Sequence, residues 1–439
     1  MLFLKQTQLM KTKISIGFIA LAASLQCLAQ TPEQIINADV IIRDIGVVTM
    51  IQPSAQEHQM VCISKGIITF IGKDAAAKEL KTNAKVINGT GKYIMPGMAD
   101  MHCHLPEKKE IKNYFTLNIM SGVTTLRSMQ GNNEHLEYRK MTDAPVPNLY
   151  LSAPPVLTKK IISNSVADSM IGKYKAEGFD FVKILYVNDS ASFAAIMLNA
   201  KKYNMPVCGH LPKCVSLEYV LQSGYNSIEH MGGIASAYDK GMEYYQSTLT
   251  LTKKNNVYHC PTMDWYQIAY HELSEDEMKK RFGMELIEDS VKQKWSKSIA
   301  DDIKKAGEEK IAKDKAEYKI TQEKQLKALK LIADNNVGLL IGLDAGGLYE
   351  VPGFEMIEEM KIYKRAGLSN YQILQAATIN AARYLKQDGK WGSVETNKDA
   401  NLILLSANPL IDIEAITKVE GIFLNGKYYL PKDLKKNLE

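Results

Sequence analysis

The chain has 439 residues, 46% of them hydrophobic and 23% charged, an ordinary globular composition with room for one large domain and a smaller one. Its net charge is +5, but Lys5, Lys11 and Lys13 sit in an N-terminal leader with no acid beside them. The remainder is close to balance, so neither nucleic acid nor an anionic membrane surface has an electrostatic case as partner.

In the leader, a basic stretch, "KQTQLMKTK", precedes an apolar one, "ISIGFIALAASL", and the small residues Cys27 and Ala29 follow. That is the layout of a signal peptide over residues 1–29, cleaved after Ala29. The apolar run is short for a membrane span. No stable membrane insertion is expected after cleavage, and the mature chain is expected to be exported, periplasmic or secreted. Lipidation of Cys27 is the alternative, weakened by Gln26, which stands where such a site takes a small residue. Cys62, Cys103, Cys208, Cys214 and Cys260 remain, an odd and scattered set that is no disulfide framework.

Residues 30–96 are predicted to form the first part of a small β-sandwich domain. "DVIIRDIGVVTM", "MVCISKGIITFIG" and "AKVINGTGKYIMPG" are short apolar runs broken by Gly and Asn. The same texture returns in "DANLILLSANPL" and "VEGIFLNGKYYL", so residues 389–439 are predicted to complete that domain. Between them, residues 97–388 alternate. Strand-like runs are "KYIMPGMADMHCH", "GVTTLRSM", "NLYLSA", "DFVKILYV", "MPVCGH", "NSIEH", "NVYHCPT" and "VGLLIGLD", with helical patterns such as "SASFAAIMLNAKKYN" and "SLEYVLQSGY" between most of them. Eight strands alternating with helices predict an α/β fold, a TIM-like (β/α)8 barrel. The charged stretch 272–336 reads as a helical insertion before the last strand, a solvated helical pair.

Side chains two apart on a strand share a face. His102 and His104 therefore turn the same way, close enough to grip one metal ion, and imidazole suits zinc. In such a barrel the chemistry sits at the C-terminal ends of the strands. Those ends also supply Lys183 in "DFVKIL", His210 in "VCGH", His230 in "SIEH" and Asp344 in "LLIGLD". Singly, each has a plainer role. His210 and His230 could be hydrogen-bonded structural histidines, Lys183 the partner of Glu177 or Asp180, and Asp344 a cap on the next segment. Together at one rim they read as a metal site.

An ammonium cannot bind a cation, and a lysine desolvated near metal ions tends to lose its proton. The neutral amine of Lys183 could take up carbon dioxide and become a carbamate, whose two oxygens bridge two metals. His102, His104 and Asp344 would hold one ion, His210 and His230 the other. Arg127, ending the second strand, is either a bidentate grip on a substrate carboxylate or a structural ion pair. Tyr186 and His259 either face the pocket or pack behind it.

The stretches "YIMPGMADMHCHL", "GVTTLR", "NSIEHMGG", "PTMDWY", "AATINAARYLKQDGKWGSV" and "DANLILLSANPL" resemble, in order, those of the amidohydrolase superfamily of metal-dependent hydrolases. The likeness is greatest to its imidazolonepropionase-like and prolidase-like enzymes. It implies the barrel, a β-sandwich domain split between the chain ends, and a binuclear site, usually zinc, with a carboxylated lysine. One departure concerns the residues after His210. Many prolidase-like members carry a small residue and a tyrosine there; Leu211 and Pro212 stand here, which speaks against dipeptidase activity.

The expected activity is hydrolysis of an amide-type C–N bond in a small molecule, a cyclic amide, dipeptide or N-acyl amino acid. Its nucleophile is a metal-bridged hydroxide, with Asp344 passing the water's proton to the leaving group. A lactonase or a carbamate or ester hydrolase would fit the same site. A mononuclear deaminase is opposed by Lys183, and a non-catalytic exported metal-binding protein by the complete ligand set. A homo-oligomer is left open.

Overall fold

A computed structural model describes residues 38–74 and 83–438; the leader over residues 1–29, with Cys27, lies outside the described residues. The centre of the fold is parallel. Met98–Cys103, Val123–Ser128 and Asn148–Leu151 form one three-stranded sheet. Val182–Val187, Val207–Gly209, Ser227–Glu229, Tyr258–Cys260 and Gly338–Leu339 follow one another in a second, with Val156–Thr158 at its edge. These eight principal strands are short and mostly buried on both faces, which is why they read as continuous apolar runs rather than alternating ones.

The two sheets meet at both ends. Ser152 bridges Phe181 in parallel. At the other end, Met101 N–H donates to Ile341 O at 2.9 Å and Asp344 N–H to His102 O at 2.7 Å. Asp100 reinforces this join: its Oδ1 accepts from the N–H groups of both His102 and Leu343, at 2.9 and 3.1 Å. The segment past the eighth strand thus lies along the first, and Asp344 arrives beside His102 and His104.

Two glycines permit these approaches. A Cβ on Gly342 would stand 2.5 Å from both His102 Cβ and Cys260 Sγ. Gly209 has φ +128, and a Cβ there would fall 2.1 Å from Ile184 O. Glycine alone tolerates both demands, so the fifth strand can lie against the fourth and deliver His210.

The intervening helices carry the punctuation expected of them. Ser163, Asp189 and Ser216 cap the helices Asn164–Glu177, Ser190–Lys202 and Leu217–Gln222, each side chain accepting a backbone N–H of the first turn. Outside this centre lies one mixed eight-stranded sheet built from both chain ends. Its seam is the antiparallel pairing of Tyr93–Pro96 with Leu402–Leu405, over a core that includes Ile42, Ile45, Ile94, Leu404 and Phe423.

The insertion differs from the solvated helical pair expected for residues 272–336. Asp289–Ala306 has no fully buried residue, although Trp295 and Ile299 pack against the core from its side. Glu308–Asp334 buries Tyr318, Gln322, Gln325, Ala328, Leu329, Ile332 and Ala333. Its second half carries a packed stripe at helical spacing, and Tyr245 Oη donates to Ala328 O at 2.8 Å. All five cysteines among the described residues are free. No described helix is long and apolar enough to cross a membrane.

Candidate active site

His102 is fully buried at the end of the first strand. Its Nδ1 lies 2.9 Å from Glu229 Oε2. A carboxylate accepts, so Nδ1 carries the proton and the Nε2 lone pair is free. That lone pair faces Lys183 Nζ at 3.3 Å and Asp344 Oδ1 at 3.4 Å. His104 brings its Nε2 to 2.9 Å from the same Asp344 oxygen. One ligand atom each from His102, His104 and Asp344 lies within 4.8 Å of the others.

His230 leaves the sixth strand in the left-handed region, φ 60. Its ring centroid is 4.7 Å from that of His102 and 4.8 Å from that of His210. Its Nδ1 is 2.6 Å from Thr262 Oγ1. The single hydroxyl proton of Thr262 goes to Pro261 O at 2.8 Å. Oγ1 must therefore accept from His230, which leaves Nε2 of His230 with its lone pair. Burial drives the His102 and His230 imidazoles below their ordinary range. Burial, helped by His230 and Lys183, takes His210 to about 4. All three are neutral at neutral pH, the state a metal ligand needs.

Asp344 also has a left-handed backbone, φ 54. Burial pushes its carboxyl up, but the His102, His104 and His230 imidazoles outweigh it and hold the group below the usual carboxylate range. Lys183 is 3% exposed. Glu177 pairs with Lys173 and Asp180 with Arg139, so neither serves Lys183. No carboxylate among the described residues makes an ion pair with it, and burial lowers its pKa.

Arg127 does not reach a substrate. It is 0% exposed. Its Nη2 donates to both oxygens of Glu229 at 2.9 and 3.1 Å, and its Nη1 to Ser227 Oγ at 3.0 Å and Tyr384 Oη at 2.7 Å. The structural ion pair replaces the carboxylate grip, because a buried guanidinium needs a full set of acceptors. Glu229, which sequence reasoning missed, thereby joins Arg127 to His102. Its one signal was a glutamate inside the apolar run "NSIEH". Thr262 was missed as well.

Tyr186 lines the cleft, but its hydroxyl donates to Asn188 Oδ1 at 2.9 Å. His259 is not among the residues lining the cleft. Tyr258 and Cys260 pack with Met101 on one face, and strand alternation turns His259 to the other. Its two ring nitrogens have no partner among the described residues.

Burial pushes His259 from 6.5 to about 4. The folded form then binds fewer protons than the unfolded chain between those values, so stability is lost as pH falls through that window. The whole effect is about 3 kcal/mol. His259→Phe should remove it, so its denaturant midpoint should fall less than that of the wild type between pH 7 and pH 4.5. Parallel pH curves for the two proteins would show that His259 titrates normally.

Two of the ligand groups, His210 and His230, line a cleft of about 740 Å³ together with Tyr186, Tyr266, Leu211 and others. A second groove, about 690 Å³ and lined by Arg139, Tyr150 and Trp391, holds none of them.

The profile of the amidohydrolase family matches residues 93–428. An adenine deaminase of Clostridium perfringens is 26% identical over 265 residues, 53% of this chain and 45% of that protein. A dihydroorotase of Caldicellulosiruptor saccharolyticus is 24% identical over 192 residues, 39% of this chain and 42% of that protein. The match spans less than half the length of each. Among solved structures, a Xaa-Pro dipeptidase with bound methionine superposes with a TM-score of 0.67 at 17% identity, over 89% of this chain and 99% of that one. The A. niger ochratoxinase does so with 0.66 at 17% identity, over 90% and 96%. These likenesses carry the fold, a TIM-like barrel with an additional domain. With the family profile running from the strand that leads into His102 to the last strand of the outer sheet, the chain belongs to the amidohydrolase family.

Proposed function

We propose that the protein is an exported metal-dependent hydrolase that cleaves an amide-type C–N bond in a small molecule. The observation that carries this reading is the convergence of freed lone pairs at the cleft. Glu229 and Thr262 each accept a hydrogen bond from the Nδ1–H of an imidazole, and the Nε2 lone pairs of His102 and His230 are left to a cation. Neutral imidazoles with one carboxylate are a zinc-type donor set. His102, His104 and Asp344 would hold one ion, and His210 and His230 a second. Lys183 fits between them: burial lowers its pKa more than the more distant Glu229 and Asp344 carboxylates raise it, and no carboxylate among the described residues is in ion-pair contact with it, which favours the neutral amine. Reaction of that amine with carbon dioxide gives a carbamate and releases a proton. Bound metals lower the pKa of water and polarise a carbonyl oxygen.

The chain's own residues supply the rest. Asp344 accepts the proton of the attacking water and passes it to the departing nitrogen. Glu229, anchored by Arg127 and Ser227, fixes the ring of His102. The substrate we propose is a cyclic amide, dipeptide or N-acyl amino acid. The likeness to an adenine deaminase favours a second reading, release of ammonia from a ring carbon.

Elemental analysis and a substrate panel test both readings. The protein expressed with zinc should hold close to two metal ions per chain and release an amino acid or a ring-opened acid from the panel. Ammonia from adenine as the sole product would favour the second reading. A protein that holds no transition metal would end both.

A further inference from the structure

A hydrogen-bond donor to the oxygen that gains charge adds to what metals supply in carbonyl attack, and the cleft offers a rigidly backed phenol for it. Tyr266, on the helix Met263–Ala269, lines the cleft with His210 and His230. Its ring centroid is 6.5 Å from that of His230, the planes nearly perpendicular at 84°.

The ring is held firmly. Tyr270, one turn on, lies 6.1 Å away at 19°, and Tyr318 of Glu308–Asp334 lies 6.3 Å away at 23°. These two stack on each other at 4.8 Å. The helix is pinned at its first turn, where the N–H groups of Met263 and Asp264 donate to Glu359 at 3.0 and 2.7 Å. Asp264 is itself paired with buried Arg281.

The other tyrosines lining the cleft have spent their hydroxyls, Tyr186 on Asn188 and Tyr244 on Glu218. The Tyr266 hydroxyl has no acceptor among the described residues. Burial first, and then the Asp344 carboxylate, push this phenol up to about 12, so it keeps its proton near neutral pH.

We propose that Tyr266 is a catalytic residue whose Oη–H donates to the substrate oxygen that becomes negative as the carbonyl is attacked. The assignment rests on the hydrolase reading. It also gives the insertion a task, since Tyr318 backs the ring that bears the donor. A donor aimed at developing charge acts more on the transition state than on bound substrate, so its loss falls on kcat.

Tyr266→Phe keeps the ring stack and removes only the hydroxyl. Zinc-loaded wild type and variant are compared for metal content, melting temperature, methylphosphonate affinity by calorimetry, and turnover on any panel substrate the wild type hydrolyses. Metal content and melting temperature should be unchanged. Methylphosphonate, a tetrahedral anion, should bind about tenfold more weakly, and kcat should fall roughly 10- to 100-fold with KM within about threefold. Equal methylphosphonate affinity, unchanged kcat, or lost metal or stability in the variant would each overturn the assignment. If the wild type hydrolyses nothing in the panel, the reaction class fails by itself. The methylphosphonate comparison then still decides the place of Tyr266.

Discussion

Asp344→Asn should lower turnover by on the order of 10²-fold or more while the protein stays folded. Three features of the site make the substitution clean. The backbone at 344 is left-handed, φ 54, a conformation asparagine adopts more readily than other non-glycine residues. The side chain keeps its size and one oxygen. That oxygen can still face His104 Nε2, now 2.9 Å from Asp344 Oδ1, so metal should largely remain. The amide cannot take a proton from the attacking water, so the loss should appear in kcat and less in KM. If Asp344 only capped the segment after it, the variant would lose stability and keep its rate. Metal content, melting temperature and turnover on one substrate decide. A folded, metal-loaded variant working at nearly the wild-type rate would remove Asp344 from the mechanism.

Lys183→Ala should lose bound metal and with it more than about 10²-fold in turnover. No ion pair is broken, because no carboxylate among the described residues pairs with this lysine. The immediate electrostatic loss to folding should therefore be small, although shortening a buried side chain leaves a cavity. Acetate or propionate added with zinc should restore part of the activity by supplying the missing carboxylate oxygens. A variant that keeps its full metal complement would place Lys183 among mere packing residues. An unmodified amine in a metal-loaded crystal structure would rule out the carbamate in particular.

The strands that carry His102, His104, His210, His230 and Asp344 were legible in the sequence because each is a local pattern, a short apolar run with a polar stop; Lys183 stood out as a lone charge inside the run that forms Val182–Val187. Structure brings the six to one mouth. What stayed hidden depends on distant partners or on register. Arg127 looked equally able to bind a substrate or to form a structural ion pair, and the partner in that pair, Glu229, lies 102 positions away. His259 and Cys260 sit side by side in sequence, and which of them faces inward follows from the register of the whole parallel sheet. Dense charge masked the packed stripe on Glu308–Asp334. Tyr266 stood in plain view in "PTMDWY", but its aim is set by Glu359 and Tyr318, neither of them near it in the chain.

The bonds that frame the ligands span long stretches of chain. His104 and Asp344 are 240 positions apart, and Arg127 and Tyr384 are 257 apart. Contacts of such separation close late and slowly in folding. Most of the chain must therefore be made, and collapsed, before three ligands can meet. A metal ion cannot template the early stages; it enters a cage that is already built. The unfolded polypeptide meanwhile offers His102 and His104 alone, a weak pair, to any ion it meets. Metal loading then waits until the segment after the last strand lies down beside the first.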